Sequence, residues 1–194
     1  MRGSRAQRAL VGLTLVGAIA CAGRPEIEVE DLDGRVVRPL ASATDRAVVL
    51  LFTATDCPIS DRYAPEVRRL AGEYAPQGVR FFLVYADAAS RPEAIRQHVS
   101  DFGYDLRALR DPAHTLVRLT GATVTPEAVV FASDKGGTRL AYRGRIDDWY
   151  EDFGRARAAP TTHELADSLD AVLAGRRVEV PRTTAIGCFI PGAS

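Results

Sequence analysis

Two uninterrupted apolar runs constrain this chain more than anything else in it: Ala47 to Thr53 (AVVLLFT) and Val79 to Tyr85 (VRFFLVY). A strand with one face in water alternates apolar and polar residues. A run without alternation belongs to a strand covered on both faces. Between them, Pro58 to Tyr74 carries Ile59, Tyr63, Val67, Leu70 and Tyr74 at helical spacing, with Arg68 and Arg69 off that stripe. Pro65 lies inside this helix and predicts a kink or a weak first turn. Strand, amphipathic helix and strand in that order imply a parallel crossover, and hence a sheet with helices packed on it.

The rest of the chain extends that unit. Ile27 to Leu32 and Val36 to Leu40 flank Asp33-Gly34, a strong hairpin signal. Gly78 stops the first helix. A second helix is expected over Arg91 to Phe102, with Ser90 as N-cap and Glu93 completing a capping box. Asp111 to Leu119 reads as a short third helix ended at Gly121. Ala128 to Ala132 and Leu140 to Ile146 read as an antiparallel pair joined by a turn over Asp134 to Gly137. Residues 147–160 read as a loop, and Thr162 as the cap of a last helix from His163 to Ala174, ended by Gly175. The expected fold is α/β, a mixed central sheet with helices on both faces, an N-terminal β-hairpin and a C-terminal tail. At 194 residues, with 46% hydrophobic and 26% charged side chains, the chain suits one globular domain. Its 25 basic and 25 acidic residues balance. No basic stripe is present, which argues against a dedicated nucleic-acid binder.

That balance is a sum over unlike parts. Arg2, Arg5 and Arg8 precede an uncharged, mostly apolar run from Ala9 to Ala20, followed by Cys21. A basic segment followed by a short apolar one is a secretory signal, too short to span a bilayer comfortably. The end, Ala18-Ile19-Ala20-Cys21, resembles a bacterial lipobox, which implies lipid attachment at Cys21. The expected division is a signal peptide over 1–20, a lipidated tether over 21–26, a folded domain over 27–175 and a tail over 176–194. The expected location is the periplasmic side of the cell envelope. Ala22 after the cysteine is compatible with the outer membrane, and plain secretion is the alternative. The signal segment holds three arginines and no acid, so the remainder is mildly acidic.

Export changes how Cys57 and Cys188 are read, because in an oxidising compartment two cysteines are expected to pair or to do redox work. Cys57 stands just after a buried strand and before a helix opening Pro58-Ile59-Ser60. Unsatisfied N–H groups at a helix N-terminus favour a thiolate. Asp56 opposes this if it points at the sulfur.

The segment Phe52 to Ser60 (FTATDCPIS), followed by Tyr63-Ala64-Pro65-Glu66, resembles the active-site segment of the thioredoxin superfamily, and within it the redoxin branch related to alkyl hydroperoxide reductase and thiol-specific antioxidant. The resemblance extends to the opening hairpin and to Gly121 to Phe131 (GATVTPEAVVF), and covers roughly residues 27–174. It implies a thioredoxin-like fold and a thiol–disulfide oxidoreductase with Cys57 as nucleophile. It also implies a cis Thr125-Pro126 bond, with Thr125, Pro126 and Ser60 positioning a partner against the sulfur. The implied partners are protein thiols or disulfides, a small thiol or a peroxide, with no cofactor and no metal.

The departures from the family pattern carry information. Ser60 stands where a dithiol enzyme has its second cysteine, so no disulfide forms within this turn, and Asp56 replaces the usual tryptophan. Ala54 and Leu50 occupy the positions of the threonine and proline of peroxiredoxins, which removes the hydroxyl that holds a peroxide. Asp61 stands where copper-delivery relatives have a second cysteine. Cys188, in the apolar segment Ala185 to Ile190, restores a two-cysteine arrangement if the tail docks over Cys57. Three activities therefore remain open: disulfide exchange resolved by Cys188 or an external thiol, a peroxidase with Cys57 alone, and a binding or copper-chaperone module with a structural Cys57–Cys188 bridge. His98, His114 and His163 show no metal-ligand spacing and read as surface or satisfied histidines. Arg143-Gly144-Arg145-Ile146-Asp147-Asp148 forms either an ion-pair network or a solvated strand end. Gly121 is expected to shape the approach to Thr125-Pro126.

Overall fold

The computed structural model describes residues 27–134 and 137–193. The signal segment, Cys21 and the tether lie outside the described residues. The N-terminal hairpin is β1 (Val29–Asp31) and β2 (Val36–Val37), turning through Gly34. The two apolar runs are β3 (Ala47–Thr53) and β4 (Val79–Tyr85), paired in parallel from Ala47↔Val79 to Thr53↔Tyr85. Every residue of β3 is buried, as a strand covered on both faces requires. Between them runs α1 (Pro58–Tyr74), whose buried stripe is the one the sequence spaced, and the helix continues through Pro65.

The strand β5 (Arg107–Arg110) was not expected. It extends the parallel set beside β4 through Phe82↔Arg107 to Tyr85↔Arg110. Its four residues Arg-Ala-Leu-Arg carry too little apolar patterning to announce a strand, so pairing rather than local sequence defines it. The predicted helix over Asp111 to Leu119 shrinks to α3 (Thr115–Thr120), because Asp111 acts as a cap. Its carboxylate accepts from the amides of Thr115, Leu116 and Val117 at 2.6, 2.9 and 3.0 Å.

Helix α2 (Pro92–Asp101) has Arg91, not Ser90, at its N-cap and no side-chain cap, so the expected capping box does not form. The last helix, α4 (Glu164–Leu173), likewise starts from His163 without a side-chain cap. Thr162 hydrogen-bonds the Glu164 carboxylate instead, at 2.8 Å.

After α3 come β6 (Val124–Thr125), β7 (Glu127–Asp134) and β8 (Gly137–Gly144). The region 147–160, read as a loop, contains a small hairpin, β9 (Tyr150–Asp152) and β10 (Arg155–Ala156). The tail contributes β11 (Cys188–Phe189). The main sheet has the order β2-β1-β5-β4-β3-β7-β8, parallel at β3–β4–β5 and antiparallel elsewhere. One face packs α1, Ile95 of α2 and α4 against Ala47, Val49, Leu51, Phe81 and Leu83. The other packs α3, the N-terminal hairpin and Ile190 of the tail against Val48, Leu50, Phe52, Phe82 and Val84. Helices therefore lie on both faces, though the second has one short helix and relies on the hairpin and tail for cover. Among the described residues, no helix is long and apolar enough to cross a membrane.

Candidate active site

Cys57 is the N-cap residue of α1 (φ −99°, ψ 102°), and Pro58 fills the first helical position, where a missing N–H costs nothing. The Asp61 amide donates to the Cys57 carbonyl at 3.1 Å and closes the first turn. This places the sulfur at the C-terminal end of β3, beneath the segment that precedes β7. There the Thr125-Pro126 bond is cis, as the resemblance implied. The Cys57 thiol is 0% exposed and donates to the Thr125 carbonyl, with Sγ to oxygen 3.0 Å.

The tail completes the site. β11 pairs antiparallel with β6, placing Cys188 opposite Thr125 and Phe189 opposite Val124. The Cys188 thiol then lies within hydrogen-bonding reach of the Cys57 sulfur. Both cysteines are free. Gly187 makes this approach possible, since a Cβ there would collide with the Thr125 carbonyl oxygen.

Burial pushes the Cys57 thiol up. Hydrogen bonds to its sulfur from Cys188, from Ser60 and from Thr125 outweigh this and hold it below the ordinary thiol value. The Ser60 and Thr125 hydroxyls are buried and have no hydrogen-bond partner while Cys57 keeps its proton for the Thr125 carbonyl. Ionising the sulfur supplies both with an acceptor. Cys188 behaves oppositely: burial, the Cys57 sulfur and the carboxylates of Asp56 and Asp61 push it up to about 12. One sulfur is disposed to be a thiolate and the other to remain a thiol that donates to it.

The surroundings hold this geometry. Arg143 pairs with buried Glu127 at 3.2 Å and donates to the carbonyls of Thr120, at 3.0 Å, and Gly121. Gly121 ends α3 at φ +71°, and a side chain there would strike the Arg143 guanidinium. The loop leading to the cis-proline is thus locked to β8. Arg145 pairs with Glu164, Asp147 accepts from Tyr63 at 2.6 Å, and Asp148 accepts from the Thr161 and Thr162 amides at 2.5 and 3.0 Å. Of the two readings of residues 143–148, the network holds, and Asp147 and Asp148 are buried.

Sequence reasoning missed one chain of contacts. Asp61, one turn beyond Cys57, meets His98 Nε2 at 3.0 Å, and His98 Nδ1 meets the Tyr85 hydroxyl at 2.8 Å. The available signal was His98 at helical spacing from Ile95 and Phe102 on the buried side of α2. Buried His98 is accordingly a satisfied histidine. Among the described residues no cluster of three or more metal-ligating side chains occurs.

A mixed sheet with a cysteine at the N-terminus of the first crossover helix, facing a cis-proline, defines a thioredoxin-like protein. A thioredoxin-like protein from Aeropyrum pernix shares the fold, with a TM-score of 0.53 at 18% identity over 77% of this chain and 89% of that one. An uncharacterised conserved protein from Geobacillus kaustophilus superposes with a TM-score of 0.73 at 29% identity, over 86% of this chain and 88% of that one. A hypothetical protein from Sinorhizobium meliloti gives 0.72 at 24% identity, over 84% and 89%. Residues 23–144 match the AhpC/TSA family, and the chain belongs to it. A curated relative, the thiol-disulfide oxidoreductase ResA of Halalkalibacterium halodurans, is 25% identical over 139 residues, 70% of this chain and 77% of that protein.

Proposed function

We propose that this protein is a thiol–disulfide oxidoreductase in which Cys57 is the nucleophile and Cys188 the resolving thiol. The observation that carries the reading is that Cys188, paired opposite Thr125, interacts with the Cys57 sulfur held at the Thr125 carbonyl, one thiol disposed to ionise and the other to keep its proton. The Cys57 thiolate attacks one sulfur of a partner disulfide, forming a mixed disulfide and releasing the other partner sulfur as a thiolate. Cys188 gives up its proton, attacks the Cys57 sulfur and releases the second partner thiol. The partner gains two electrons and the Cys57–Cys188 pair loses them; an external dithiol restores the pair. Thr125, Pro126 and Ser60 position the partner sulfur and stabilise the thiolate. The name of the curated relative supports this chemistry. Replacing Cys57 by Ser should abolish insulin-disulfide reduction; retention of native turnover overturns the proposal.

The same proposal places the protein at the cell envelope through a lipid on Cys21, supported by the Arg-rich start, the apolar run and the Ala-Ile-Ala-Cys sequence. Radiolabelled palmitate should enter the native chain and not a Cys21→Ala variant. Equal labelling of both would sink the assignment.

A further inference from the structure

The C-terminal chain crosses the site as a strap anchored on both sides of it. Upstream, the Arg143 amide donates to the Pro181 carbonyl at 3.0 Å, and the Thr183 amide donates to the Arg143 carbonyl at 3.1 Å. The Thr183 hydroxyl shares a hydrogen bond with the Tyr142 hydroxyl at 2.7 Å and accepts from the Arg145 amide at 3.1 Å. Downstream, the Ile190 amide donates to the Thr123 carbonyl at 3.0 Å, and the Ile190 side chain is buried in the second core. The span between these anchors is held more thinly. Its strand is two residues long, and Phe189 is 85% exposed and adds little apolar burial. Yet this span occupies the backbone edge at Val124–Thr125, beside Cys57, which is 0% exposed.

We propose that the strap is a self-inserted strand that closes the site. An outside disulfide reaches Cys57 only when residues 184–189 leave the Val124–Thr125 edge while the anchors at Thr183 and Ile190 stay in place. An extended, cysteine-bearing polypeptide segment can then take that edge in the strap's stead, its disulfide brought to Cys57 where Cys188 had been. Gating by the chain's own terminus rests on the reading of Cys57 as the nucleophile and adds a step before it. It also gives Gly187 a role, because only a residue without a side chain lets the strap seat against the Thr125 carbonyl.

The test uses the full chain in a Cys188→Ser background, so that Cys57 is the thiol followed. Iodoacetamide labelling of the Cys57 peptide and amide hydrogen exchange are read together by mass spectrometry. Cys57 should label at the opening rate of residues 184–189, far faster than β3 exchanges. Adding Gly187→Val should speed that labelling roughly tenfold to hundredfold, as overpacking of a close contact does, with β3 exchange unchanged. Labelling no faster in G187V than in its parent, with β3 still protected, overturns the proposal. If G187V loses β3 protection as well, the parent decides: Cys57 labelling that keeps step with β3 exchange overturns the strap, and labelling that keeps step with residues 184–189 supports it. A native-sequence chain whose Cys57 labels in step with residues 184–189 but which reduces no disulfide leaves the strap standing and removes the oxidoreductase reading.

Discussion

Cys57 and Cys188 have the same side chain and opposite dispositions, and the difference lies entirely in their neighbours. Cys57 is the more deeply buried, which alone favours the neutral thiol, yet three donors converge on its sulfur and reverse the balance. Cys188 has burial and nearby negative charge acting in one direction. Removing the Cys188 thiol therefore takes away the leading donor. The ultraviolet absorbance of the Cys57 thiolate should show a pH midpoint that rises in Cys188→Ala relative to the native chain. A smaller rise is expected in Ser60→Ala. The direction follows from linkage: losing a donor to the ionised form disfavours that form. A midpoint that stays or falls in Cys188→Ala contradicts the hydrogen-bonded pair. The segment Phe52 to Ser60 made Cys57 legible at this scale, but nothing local to residues 185–190 announces that Cys188 meets it.

Elements matter here through their ends. Helix α1 supplies Cys57 at its start, and α3 ends at Gly121 so that the chain can turn toward β6 and the cis-proline. Arg143 on β8 fastens that turn, with Glu127 as its counter-ion. Both side chains are substantially buried. Truncating Glu127 to Ala leaves a guanidinium uncompensated and should cost about 3–5 kcal/mol in urea unfolding, with Glu127→Gln costing less. A loss below about 1 kcal/mol would show the pair to be dispensable to the fold. The elements that stand out most in the sequence are those with a continuous apolar run, β3 and β4, or a strong helical period, α1. Sequence patterning missed β5 and the β9–β10 hairpin, whose short, charged or mixed segments become strands by having a neighbour to pair with. The unmade caps at Ser90 and Thr162 have a related cause. A cap motif states what a side chain could do, whereas the path of the preceding chain decides where the helix starts.

On the scale of the whole molecule, the tail is the element that changes the protein's behaviour. It covers part of the second sheet face through Ile190 and occupies the Val124–Thr125 edge beside the nucleophile. Oxidation of Cys57 and Cys188 would close a loop of about 130 residues, which stabilises by roughly 3–5 kcal/mol through the entropy removed from the unfolded chain. The oxidised protein should accordingly unfold at a higher urea concentration than the reduced one, and Cys188→Ser should erase the difference. Identical midpoints for oxidised and reduced native protein would mean that the two sulfurs do not bond within one chain.

The sequence by itself determined the layered α/β architecture and the crossover that carries Cys57, and its resemblance to the thioredoxin superfamily implied the cis-proline partner at Thr125-Pro126. These depend on local period, turn residues and a contiguous motif, all of which are written along the chain. Tertiary structure alone decided that Cys188, 131 positions beyond Cys57 in the chain, becomes its partner, that Gly187 is needed to bring it there, and that Asp61 meets His98. Such pairings depend on where separate segments come to rest. A two-residue strand has too little period to predict its own neighbour.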